Sequence, residues 1–174
     1  MNMEELARTI YERTHLTGTF RLRSGAISSE YFDKYLFESD PWLLREIGDA
    51  LVPLVPPATD ALAGLELGGV PLATILSQVT GLPALFVRKE AKTYGTCRLA
   101  EGGELDGLRL TVLEDVVTSG GQVVTSCGDL RERGGIVEDA VCVIDREAGG
   151  AKNLADVDVV LRALYTMTEL ENAS

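Results

Sequence analysis

The sequence predicts an α/β fold: a central, mostly parallel sheet flanked by helices, with a small N-terminal cap. Three observations carry this. Apolar runs alternate with helix-length segments along most of the chain. The runs are continuous rather than alternating, as suits strands covered on both faces. The 174 residues, 45% hydrophobic and 25% charged, suffice for one domain with its own core.

The elements follow in order. Glu4 to Arg13 places Leu6 and Ile10 among polar residues at helical spacing. The less regular remainder of about residues 1–40, with the C-terminal segment, is expected to form the cap. A helix spans Trp42 to Val52, with Trp42, Leu43, Ile47 and Leu51 spaced for one face after the start signal Asp40-Pro41. Ala61 to Leu67 is an apolar run closed by Gly68-Gly69, and Val70 to Thr80 a helix ended by Gly81. Pro83 to Val87 reads as a strand. A polar, Gly-containing stretch from Arg88 to Gly107 leads into the strand Leu108 to Leu113. Gln122 to Arg133 is a helix stopped by Gly134-Gly135, and the runs Val137 to Ile144 and Val157 to Leu164 complete the sheet. No repeat or linker divides the chain, so residues 1–174 read as a single domain.

Composition excludes several classes. Acidic residues outnumber basic ones by 27 to 16, for a net charge of −11. Nucleic-acid backbones attract net positive surfaces, so no nucleic-acid partner is expected. No apolar run approaches the ~20 residues that span a bilayer, so no membrane partner is expected either. The acidic start, Met1 to Glu5, lacks the apolar stretch of a secretory signal, which points to the cytoplasm. Cys97, Cys127 and Cys142 are spaced too widely for a zinc site and read as reduced thiols. The single histidine, His15, reads as structural.

Chemistry concentrates between Leu110 and Gln122. An apolar strand ends in two carboxylates, Glu114 and Asp115. It passes Val116 and Val117 and reaches a turn of small residues, Thr118-Ser119-Gly120-Gly121, where a helix begins. In a parallel sheet, ligands sit at the carboxyl ends of strands. Glycines let backbone N–H groups approach an anion, and the helix start favours a phosphate. Thr118 and Ser119 add hydroxyl donors. Carboxylates suit the hydroxyls of a ribose. A sugar phosphate fits both halves. The plain alternative is a solvated acidic pair beside an ordinary turn; the buried strand before it and the helix after it weigh against that. There is no G-x-x-x-x-G-K-[ST] and no G-x-G-x-x-G after a strand, so a P-loop is excluded and a nicotinamide site is poorly supported. A second charged feature is the segment Arg88 to Arg98, where Arg88, Lys89, Lys92 and Arg98 face one acid, Glu90. Such a run is either a solvated face or a clamp for a polyanion.

The Leu110–Gly121 run resembles the phosphoribosyl pyrophosphate (PRPP) signature of type I phosphoribosyltransferases: an apolar strand, two acids, two apolar residues, then Thr-x-Gly. Four further segments are similar to the orotate phosphoribosyltransferase family. Arg88-Lys-Glu-Ala-Lys92 with Thr93-Tyr94-Gly95-Thr96 resembles its mobile catalytic loop. Phe20-Arg-Leu-Arg-Ser-Gly25, with Ser28 and Tyr31-Phe32-Asp33, resembles its N-terminal hood. Val143-Ile-Asp-Arg-Glu147 with Gly149-Gly150 resembles its Asp-Arg strand end, and Gly64-Leu-Glu-Leu-Gly-Gly-Val-Pro-Leu72 its pyrophosphate loop. The matches run from about Thr17 to Gly150 in family order.

The resemblance implies the type I phosphoribosyltransferase fold and the reaction of PRPP with orotate to give orotidine 5′-monophosphate and pyrophosphate, in pyrimidine synthesis. Mg²⁺ would arrive mainly on PRPP, with no direct protein ligand. Lys92 and Asp115 would be catalytic. Arg88, Lys89, Lys92 and Tyr94 from the loop would bind PRPP together with Glu114, Asp115, Val116, Val117, Thr118, Ser119, Gly120, Gly121 and Gln122. Leu67 and Gly68 would form the pyrophosphate loop, where the family can carry a cis peptide. Arg23, Tyr31, Phe32, Thr118 and Arg146 would surround orotate. Read without the resemblance, Arg146 could pair with Asp145 or Glu147, and Tyr31 and Phe32 could be core. In the family the loop crosses to the partner subunit, which implies a homodimer whose Arg88–Arg98 loops complete each other's sites. This chain departs from the pattern at Arg23, where many members have Lys, at Tyr94, where many have His, and at Gly68, where some have Lys. The rival expectations are a phosphoribosyltransferase for another base and a non-catalytic PRPP-binding regulator.

Overall fold

A computed structural model of the chain describes residues 1–22, 24–95 and 98–174. Arg23, expected beside orotate, and Cys97 lie outside the described residues.

The chain opens with α1 (Met3–Thr14), started by a reciprocal cap. The Asn2 side chain accepts from the Glu5 N–H, and the Glu5 carboxylate accepts from the Asn2 N–H. A hairpin of β1 (His15–Arg21) and β2 (Ile27–Phe32) follows, then α2 (Tyr35–Glu38) and α3 (Pro41–Leu51). Asp40 caps α3 by accepting from the N–H groups of Trp42 and Leu43. The remaining elements are β3 (Ala61–Leu65), α4 (Gly69–Thr80), β4 (Ala84–Val87), β5 (Ala100–Glu101) and β6 (Arg109–Val117). They continue through α5 (Gly121–Glu132), β7 (Ile136–Asp145), α6 (Gly150–Ala155), β8 (Val160–Thr166) and α7 (Met167–Ala173).

Six strands form one sheet in the order β5-β4-β3-β6-β7-β8. Only β5 runs antiparallel to its neighbour; the other pairs are parallel. The central strands are apolar throughout because both faces are covered. On one face, Val123, Cys127 and Leu130 of α5 and Leu154 of α6 pack with Val112, Ala140 and Cys142. On the other, Leu6 and Ile10 of α1, Ile47 of α3, Leu72 and Leu76 of α4 and Leu170 of α7 pack with Leu113 and Val143. Among the described residues, no helix is long and apolar enough to cross a membrane.

The α/β expectation and the mostly parallel sheet stand. The hairpin, the two-residue β5 and the short α6 escape the hydrophobic pattern. The hairpin is largely exposed and β5 lies at an edge, so neither shows a continuous apolar run. The last strand begins at Val160 rather than Val157, because the preceding Asp158 adopts a left-handed backbone (φ 58°). At the far end of that strand, Tyr165 donates from its hydroxyl to the Met3 carbonyl at 2.7 Å, joining the sheet to α1.

Candidate functional site

β6 is one of the two middle strands, and it hands over to α5 through a three-residue turn. Successive side chains on a strand point to opposite faces. Val112 packs into one core and Leu113 into the other, but the alternation breaks beyond them, since Val116 packs with Leu113 and Val117 with Val112. Glu114 stays in contact with Asp115: its Oε1 accepts from the Asp115 N–H at 3.1 Å. Asp115 is 0% exposed. Its Oδ1 accepts from the Val116 N–H at 2.6 Å and from Lys34 Nζ at 2.9 Å, and Lys34 Nζ lies 2.7 Å from Oδ2. Burial opposes the charge on Lys34, but hydrogen bonding to Asp115 and the Asp115 charge raise its pKa above the usual value. Glu38, buried beside this pair, has its pKa pushed up to about 8, first by burial and then by the Asp115 charge. Glu114 is half-buried, and burial followed by its contact with Asp115 raises its pKa too.

The start of α4 lies over this strand end. A Cβ on Gly69 would come within 2.1 Å of the Leu113 carbonyl oxygen, and one on Gly68 within 1.8 Å of Asp115 Oδ2. Glycine at both positions is what permits the approach. The Lys that some family members carry at Gly68 has no room beside this Asp115 conformation. The pyrophosphate-loop expectation shifts by one bond: the cis peptide joins Glu66 to Leu67.

After β6 the chain turns through Thr118 and Ser119, both exposed, to Gly120, whose φ of 75° suits glycine. Gly150 packs under this turn, and a Cβ there would meet the Thr118 carbonyl oxygen at 2.6 Å. Asn153 donates to the Ser119 carbonyl at 2.9 Å. Among the described residues, no backbone N–H from Thr118 to Gln122 donates to a protein acceptor. The turn therefore presents unpaired amides at the start of a 12-residue helix, the arrangement that receives an anion. Val117 is buried and Val116 half-buried, so those two residues anchor the turn.

Tyr31, Phe32 and Arg146 come together around one cavity of about 380 Å³, with Tyr11, His15 and Ser28 among its other walls. The Arg146 guanidinium carbon lies 5.9 Å from the Phe32 ring centre. Glu147 is engaged by Thr168, and Asp145 accepts from the Glu147 N–H. Neither forms the strand-end ion pair with Arg146. The Arg146 N–H donates to Val117, which sets this cavity beside the turn. Thr118, expected near orotate, does not line it.

The basic loop is turned elsewhere. Lys92 Nζ lies 2.5 Å from Glu101 Oε1, and Arg88 Nε lies 3.3 Å from the same oxygen. The Lys89 N–H donates to Glu66, and Tyr94 is 70% exposed. Arg88, Glu101, Glu66 and Leu67 share a cavity of about 200 Å³. No ion pair or hydrogen bond joins the loop to the Thr118 turn among the described residues. Sequence reasoning missed Lys34, Glu38 and Glu101. Lys34 follows directly on the Tyr31-Phe32-Asp33 segment, but its partner lies 81 positions away.

No family model matches the chain. An orotate phosphoribosyltransferase from Nocardioides is 52% identical over 168 residues, covering 97% of this chain and 94% of that protein. The one from Halobacterium salinarum is 42% identical over 90% of this chain and 89% of that protein. Among solved structures, Mycobacterium tuberculosis orotate phosphoribosyltransferase in complex with Fe(III) dicitrate superposes with a TM-score of 0.86 at 29% identity, covering 97% and 98% of the two chains. The same enzyme in complex with PRPP gives 0.83 at 26%, again over 97% and 98%.

Proposed function

The chain belongs to the orotate phosphoribosyltransferase family, and on that premise we propose that it is a pentosyltransferase moving the 5-phosphoribosyl group from PRPP to orotate in pyrimidine synthesis. The observation that carries this reading is the run of unpaired amides from Thr118 to Gln122 at the end of β6. That turn receives the 5′-phosphate, with Thr118 and Ser119 adding hydroxyl donors. Glu114 and Asp115 serve the ribose side, Glu114 from its half-exposed position and Asp115 from within the strand end.

Orotate is planar and carries a carboxylate. The Arg146 fork suits that group, and its guanidinium, which has no ion-pair partner among the described residues, lies beside Phe32 at the cavity that Tyr31 also lines. Lys92, with Arg88 and Lys89, neutralises the leaving pyrophosphate, where catalysis is mostly positioning and charge stabilisation. Tyr94 has no cationic form, so the loop works through its lysines and arginine. Leu67 and Gly68 border the pyrophosphate. Mg²⁺ prefers oxygen ligands and binds largely through substrate phosphates, so it would arrive on PRPP without a direct protein ligand. The ion would be held chiefly by the diphosphate and would offset its charge. The reading extends to a homodimer in which the Arg88–Arg98 loop completes the partner's site, and to the cytoplasm, in keeping with Cys127 and Cys142 as free buried thiols.

The test is orotate consumption with PRPP, with and without Mg²⁺. PRPP- and Mg²⁺-dependent formation of orotidine 5′-monophosphate is the expected result. Turnover of uracil or a purine with none of orotate would assign the other-base alternative. PRPP binding without turnover of any base would assign the regulator.

A further inference from the structure

The ion pair between Lys34 and Asp115 joins two parts of the molecule that the reaction must bring into register. Lys34 lies just beyond β2, two residues after Phe32, which lines the cavity under Arg146. Asp115 lies three residues before Thr118, where the anion-binding turn begins. Its Oδ1 holds the Val116 N–H at 2.6 Å and Lys34 Nζ at 2.9 Å, so one carboxylate oxygen ties the hood to the backbone that leads into the turn. Asp115 is 0% exposed and is packed against the α4 start, where a Cβ on Gly68 would come within 1.8 Å. It has little freedom to choose another partner.

The charged groups facing this pair are few. Glu38 and Tyr35 approach from α2, the Tyr35 ring centre lying 5.3 Å from Lys34 Nζ. Glu114 approaches from β6, and Cys142 and Asp145 stand on neighbouring β7. Among the described residues, Lys34 is the only cation paired with a member of this group. One Glu38 oxygen is buried without a hydrogen-bond partner. Removing the ammonium would leave a buried carboxylate facing other carboxyls, and such a group moves or takes a proton.

We infer that Lys34 is a positioning residue for both substrates: through Asp115 it fixes the strand end that carries the phosphate turn, and it holds the hood cavity in register with that turn. The inference rests on the proposed reaction, in which the turn takes PRPP and the cavity takes orotate. Lys34 touches neither substrate in this scheme. It acts by keeping Asp115 in one place, so its loss weakens PRPP at the turn and orotate at the hood together. A purely structural ion pair would instead lower the folded fraction.

The experiment compares the full-length parent with Lys34→Met, Lys34→Gln and Lys34→Arg. KM for PRPP, KM for orotate and kcat are measured, with PRPP binding followed separately by calorimetry in the absence of orotate. Arg13→Met is the control, because it breaks an exposed ion pair with Asp40 on the same side of the fold. Lys34→Met is expected to raise KM for PRPP about tenfold and KM for orotate several-fold, roughly the loss of one charge-assisted contact. Lys34→Arg is expected to recover most of both, and Arg13→Met to leave both unchanged. A fall in kcat with both KM values intact overturns the inference, as does a Lys34→Met protein that binds PRPP like the parent. If Lys34→Met does not fold, Lys34→Gln, which keeps a donor without the charge, decides by the same KM criterion. Calorimetry separates the two claims: a parent that binds PRPP but does not turn over orotate defeats the proposed reaction, while the PRPP affinities still judge Lys34.

Discussion

The turn from Thr118 to Gln122 and the loop from Arg88 to Gly95 are both assigned to phosphate groups, and they are built in opposite ways. The turn binds through backbone. Its amides are unpaired, and its path is fixed by Val117 in the core, Gly150 beneath it and Asn153 at the Ser119 carbonyl. It is ready before any ligand arrives. The loop binds through side chains, and those already have a partner: Lys92 and Arg88 both lie on Glu101. Glu101 is held below the usual carboxylate pKa, chiefly by the Lys92 hydrogen bond. Preformed amides bind ground state and transition state alike, whereas cations that must change partners can be reserved for the charge that develops on the leaving group.

That contrast is open to direct attack. The largest effect is expected from Lys92→Ala, a fall in kcat of about 10²–10³-fold with PRPP affinity nearly unchanged, as for removing one transition-state donor. Steady-state kinetics beside calorimetry checks it, and unchanged turnover would remove Lys92 from the chemistry. Next comes Arg146→Ala, for which KM for orotate should rise about 10–100-fold while KM for PRPP holds, the range for losing hydrogen bonds to a charged group. Gly150→Ala sharpens the comparison from the turn's side. Its Cβ would crowd the Thr118 carbonyl at 2.6 Å. The turn should shift and PRPP binding weaken about tenfold, less than the ~100-fold that a 1 Å misplacement can cause. Here kcat should change less than KM, the reverse of Lys92→Ala. The smallest effect belongs to Glu101→Gln. Releasing Lys92 should raise kcat by about twofold to fivefold with KM for PRPP nearly unchanged, the small effect of a solvent-screened pair. A fall in kcat would show that Glu101 orders the loop for catalysis instead of holding Lys92 back.

Much of this was legible in the chain itself. Apolar runs at Ala61–Leu67, Leu108–Leu113 and Val137–Ile144 mark strands buried on both faces, and the strands they predict, β3, β6 and β7, lie side by side in the sheet. Gly81 and Gly134 mark where helices stop. The Thr-Ser-Gly-Gly turn marks an anion site because small residues and a helix start are local properties. The grouping of Tyr31 and Phe32 with Arg146 came only from the family pattern, since no local rule joins residues so far apart.

What the sequence determined by itself, then, is the part governed by neighbours along the chain: the fold class, the strand-turn-helix that offers its amides, and the presence of a basic loop. Tertiary structure alone decided how charges pair. Glu114 and Asp115 look like a matched couple in the sequence, yet Asp115 is fully buried and Glu114 only partly so. Asp115 then meets Lys34 across 81 positions, and Lys92 meets Glu101. Coulombic partners are chosen by distance in space, and a one-dimensional chain records that distance only after it has folded.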